Sequence, residues 1–71
     1  MNAAVLRSLV SFGGKLVQGD TRCDGEEYSY RSVWNSDEDA DDFLNSFSHV
    51  ISKSARNMDN KYLMVYFSLK A

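Results

Sequence analysis

Between Asp37 and Arg56, the apolar residues Ala40, Phe43, Leu44, Phe47, Val50 and Ile51 recur at three- and four-residue steps. That spacing predicts one long amphipathic helix with a single apolar stripe. Asn35 or Ser36 is placed to cap its start, accepting hydrogen bonds from first-turn N–H groups that have no partner within the helix. Acids crowd its first two turns and Lys53 and Arg56 fall in its last, both complementing the helix macrodipole. Asn57 reads as its C-terminal stop. From Lys61 to Leu69 the period changes to two. Leu63, Val65, Phe67 and Leu69 form one face of a strand, and Tyr62, Met64, Tyr66 and Ser68 form the other. A strand this apolar is expected at the centre of its sheet, because as an edge it would invite aggregation. At about 1.5 Å per helical residue and about 3.3 Å per strand residue, the two elements are each roughly 30 Å long and match as a packed pair.

A second strand is predicted from Glu27 to Trp34, after the turn signal Asp24-Gly25. Tyr28, Tyr30 and Trp34 share one side of it, and Ser29, Arg31 and Val33 the other. Strand, helix and strand in this order suggest a crossover unit, right-handed if the strands are parallel. The first twenty residues admit two readings. Val5, Leu9, Phe12 and Leu16 fit a helical face, favouring a helix that ends near Gly13-Gly14. Alternatively, the two glycines form a hairpin turn between strands at 6–12 and 15–18. The expected fold is therefore α+β: a small sheet, one long amphipathic helix packed on it, and a helical N-terminal segment.

Composition supports a folded domain: 44% of residues are apolar, 25% charged and 13% aromatic. The 71 residues are read as a single domain near the lower size limit for unaided folding, with a net stability of only a few kcal/mol. Cys23 and His49 are the only cysteine and histidine, so neither an internal disulfide nor a Cys/His zinc site can staple the fold. Either the core packs efficiently or the protein associates. Met1–Phe12 is too short to span a bilayer and makes a poor signal peptide, so a cytoplasmic protein with no membrane segment is expected.

The formal net charge of −2 hides an uneven distribution. Asp37, Glu38, Asp39, Asp41 and Asp42 hold five of the ten acids, leaving a mildly basic body with one acidic end. The run begins like a calcium loop but lacks its glycine at the sixth position (Asp42) and its glutamate at the twelfth (Ser48). No metal or cofactor is expected there. An excess of acids at a helix start also suits docking on a basic partner surface. Gly13-Gly14-Lys15 lacks the spacing of a phosphate-binding loop. Nothing places Cys23 beside His49 as nucleophile and base, and no catalytic residue or enzymatic activity is expected.

Tyr28, Tyr30, Trp34, Tyr62, Met64 and Tyr66 form the second candidate partner-binding set. They would make one aromatic patch if the two strands pair in a suitable register; if the N-terminal segment covers that patch, it is ordinary core. Tyrosine, tryptophan and methionine are enriched at interfaces. The expected function is that of a small non-enzymatic binding protein that modulates or occludes a macromolecular partner, above all a protein with a basic surface. A homodimer closed through the aromatic faces is the first alternative. A single-stranded nucleic-acid-binding module is the second and less favoured, because Arg31 and Lys61 lie near the patch without forming a basic cluster.

Overall fold

The computed structural model describes residues 2–17, 22–59 and 61–70. Its elements run α1 (Asn2–Ser11), β1 (Lys15–Leu16), β2 (Arg22–Asp24), β3 (Glu27–Trp34), α2 (Asp37–Ser46), β4 (Ile51–Asp59) and β5 (Tyr62–Lys70). All strand pairings are antiparallel, in the order β1-β3-β5-β4, with β2 also paired to β3. The fold is α+β. Both helices serve one core: Val5 and Leu9 of α1 and Ala40 and Phe43 of α2 cluster with Trp34, Leu63, Val65, Phe67 and Leu69.

The single long helix is corrected. Its first half is α2, which stops at Ser46; a turn covers residues 47–50, and residues 51–59 form a strand. Lys53 and Arg56 therefore lie on β4 instead of in a last helical turn. Two physical terms compete over this segment. The apolar spacing through Val50 and Ile51 favours continuing the helix, but Asn45, Ser46, Ser48, Ser52, Ser54 and Asn57 are weak helix formers. As a strand, residues 51–59 satisfy the backbone groups along one side of the apolar β5, which would otherwise be an open edge. The ten-residue α2 is about 15 Å long, half the predicted length.

The crossover changes with it. β3 and β5 are antiparallel neighbours rather than the two ends of a parallel unit. Because β4 and β3 each pair antiparallel to β5, they run parallel to one another with β5 between them, and α2 makes the connection.

Capping defines both helices. Ser36 accepts hydrogen bonds from the N–H groups of Glu38 (3.1 Å) and Asp39 (3.3 Å), starting α2. At the end of α1, Gly13 adopts φ 102°. The Gly14 N–H bonds the Leu9 carbonyl and the Gly13 N–H bonds the Val10 carbonyl, both at 3.0 Å. This is the Schellman pattern, which needs a residue tolerant of the left-handed region. The alternative hairpin is thus replaced by α1 and a helix stop, with Gln18 of its second strand outside the described residues.

Gly14 has a separate task. A Cβ at this position would lie 2.5 Å from the Trp34 ring, so only glycine lets the chain pass against the indole. Trp34 is 1% exposed. Its Nε1–H donates to Ser32 Oγ at 2.8 Å, and Ser32 donates to the Val65 carbonyl at 3.0 Å. This relay satisfies the indole N–H inside the core.

Candidate functional site

Residues directly opposite in an antiparallel pair project to the same side of the sheet, so register decides which side chains share a face. Trp34 pairs with Leu63, Tyr30 with Phe67 and Tyr28 with Leu69. Tyr28, Tyr30 and Trp34 therefore join the face that the helices cover. Tyr62, Met64 and Tyr66 lie on the opposite, outer face, beside Val33 and Arg31. The six-residue aromatic patch is corrected: it is split between the two sides. Trp34 is buried and Tyr30 stacks on Phe67 with ring centroids 5.6 Å apart, so neither is a free anchor for a partner. Met64, at 8% exposed, is enclosed by its neighbours in the central strand. Tyr62 at 55% and Tyr66 at 37% remain accessible.

The outer face carries cations that the sequence pattern did not bring together. Register places Lys15 opposite Val33, Arg31 opposite Tyr66, Lys53 opposite Ser68 and Lys70 opposite Glu27, all on this side. The Arg31 guanidinium lies over the Tyr66 ring, 5.6 Å from its centroid, within the range of a cation–π contact. Lys53 Nζ reaches Glu27 at 3.8 Å but stays 76% exposed, so solvent screens the pair heavily. Ser29 and Ser68 share a hydrogen bond of 2.9 Å across the strands. Between these residues lies an open depression of about 370 Å³, lined by Ser29, Arg31, Lys53, Ala55, Tyr66 and Ser68. Ala55, opposite Tyr66 on β4, is too short to cover the ring.

Sequence reasoning missed Lys53 because it placed that residue in a helix. It missed Lys15 and Lys70 because their face depends on pairing. The available signal was the run of serine and asparagine after Ser46, which is poor helix material.

The acidic run lies on the other layer. Asp37 and Asp41, one helical turn apart, both bond Arg56 of β4, Asp37 at 3.3 Å. Asp39 lies beside Gly13, where α1 ends. Glu38, Asp39 and Asp42 are exposed. Two of the five acids are thus turned to an internal cation, and carboxylates spread around the helix do not converge on one ion. Among the described residues, no group of three or more His, Cys, Asp or Glu side chains is arranged to hold a metal.

Cys23 is exposed on β2. His49 is exposed in the turn after α2, stacked near Phe47 at 6.5 Å. Cys23, Tyr28, Leu69 and Ile51 form one row across β2, β3, β5 and β4. Three inter-strand spacings, roughly 14 Å, therefore separate the cysteine from the strand that follows His49. The geometry assembles no nucleophile–base pair from these two residues. Among the described residues, no helix is long and apolar enough to cross a membrane. No protein-family model, curated protein or solved structure matches this chain.

Proposed function

We propose that the protein is a non-enzymatic binding module that engages a macromolecule through the outer face of its sheet. The observation that carries this reading is an open depression lined by the exposed Tyr66, with the exposed Tyr62 further along the same strand, on the sheet face opposite both helices. An antiparallel sheet with one solvated face usually lines that face with polar side chains. Large aromatic rings left on it, beside a concave site, are the residues that anchor interfaces. The depression lies within the size range of ligand sites, about 300–1,000 Å³. In this reading the acidic start of α2 is no anchor, since Arg56 already engages Asp37 and Asp41; its remaining charges steer.

The test is capture from native extract by immobilised protein, comparing Tyr62→Ala/Tyr66→Ala with Glu38→Lys. The first pair alters the outer face, and the second reverses a charge on the helix layer. Loss of the captured macromolecule with the tyrosine variant alone is the expected result. Loss with Glu38→Lys alone would instead put binding on the acidic helix. Light scattering on the same samples separates a heterologous partner from a homodimer closed through two outer faces.

A further inference from the structure

We infer that the ligand of the outer face is single-stranded nucleic acid. This deepens the binding reading above and rests on it. Among the described side chains of the outer face, Lys15, Arg31, Lys53 and Lys70 stand against Glu27. The exposed acids Glu38, Asp39 and Asp42 belong to α2, on the covered side. The molecule is acidic overall, yet four of its eight Lys and Arg residues stand on the one sheet face that no helix covers. A polyanion approaching the start of α2 meets carboxylates, and one approaching the open sheet face meets lysines.

Aromatic geometry selects the class of polyanion. Stacking of bases on exposed aromatic rings beside a positive surface is how single strands are held without sequence readout. The Tyr66 ring has Arg31 over it and the short Ala55 beside it, which leaves space within the depression for a base. Tyr62 lies four residues before it, and so on the same side of β5. Ser29 and Ser68, bonded to one another at 2.9 Å, line the depression beside the ring. A duplex keeps its bases stacked on one another, so tyrosines on a sheet face cannot reach its base planes. The unstacked bases of a single strand can lie on the rings.

The experiment is fluorescence anisotropy of a labelled oligothymidine of about 15 nucleotides with the full chain, alongside a duplex of the same length. Three lysine–phosphate contacts on a single strand predict that affinity falls about twentyfold between about 50 mM and about 200 mM salt. Tyr66→Ala is expected to weaken binding about tenfold, while Tyr66→Phe keeps the stacking ring and most of the affinity. Lys53→Gln should flatten the salt dependence by roughly one contact's share. A second readout needs no variant: amide shifts of labelled wild-type protein on adding the oligonucleotide should gather at Ser29, Arg31, Lys53 and Tyr66. Absence of binding at about 50 mM salt, equal affinity for duplex and single strand, or shifts confined to the helices would each overturn the inference. If the oligonucleotide fails while the tyrosine variant still loses a captured protein, the nucleic-acid assignment falls and the binding face stands. If neither experiment responds to the tyrosines, both fall.

Discussion

The two sides of this sheet are built from the same strands, yet different forces shape them. On the covered side β5 presents Leu63, Val65, Phe67 and Leu69, none more than 7% exposed. Their positions are enforced by neighbours: Phe43 lies within 5.4 to 6.1 Å of four rings, those of Phe12, Trp34, Phe47 and Phe67. Gly14 and Ser32 are small where the Trp34 indole needs room and a hydrogen-bond acceptor. On the outer side the neighbours of Tyr66 are Arg31 and Ala55, a cation above the ring and a methyl group beside it. Shape complementarity organises one face, and charge with accessible rings characterises the other. Alternation along one strand sets core residues beside solvent-facing ones, so the two can be changed separately.

That comparison breaks most visibly at Phe43. Phe43→Ala removes the ring at the centre of the aromatic cluster, a loss of about 3–5 kcal/mol. A domain this small has little more stability than that. The expected outcome is loss of the cooperative urea transition and of near-ultraviolet circular dichroism. Gly14→Ala comes next. Its Cβ would press into the Trp34 ring, and overpacking of this kind costs about 1–3 kcal/mol, read as a lower urea midpoint with unchanged slope.

Charge on the covered side is worth less. Arg56→Gln removes contacts to Asp37 and Asp41, whose side chains are 73% and 52% exposed. Its cost should stay below about 1 kcal/mol and shrink further in high salt, as measured by denaturation at two ionic strengths. The smallest effect on stability is expected at Tyr62. Tyr62→Ser should change the urea midpoint by no more than about 0.5 kcal/mol in stability, while ligand capture weakens. A large loss of stability there would erase the division between the faces.

How legible this was in the amino-acid sequence differs by element. The strand at Glu27–Trp34 reads directly from its alternation, and β5 from its own, because a period of two survives any choice of partner. The α2 start reads from Ser36 and the acids after it. The second half of the predicted helix fails because Val50 and Ile51 fit a helical stripe as a local pattern. The decisive term is non-local: β5 needs a partner along its free side, and Ile51–Asp59 supplies it. The candidate site was harder still. Tyr62 and Tyr66 were visible as outward residues, but only the pairing of Tyr30 with Phe67 sends Tyr28, Tyr30 and Trp34 to the core. A register shifted by one residue would have built the aromatic patch. Lys15, Lys53 and Lys70 come from three different strands, and no spacing within the chain announces that they share a face.

Site-specific photocrosslinking tests the division of faces most directly. A benzophenone amino acid is placed either at Tyr62, on the outer face, or at Glu38, on the exposed side of α2, and each protein is irradiated in native extract. Discrete macromolecular adducts are expected from position 62 and none from position 38. Adducts from position 38 alone would contradict that division and return recognition to the acidic helix.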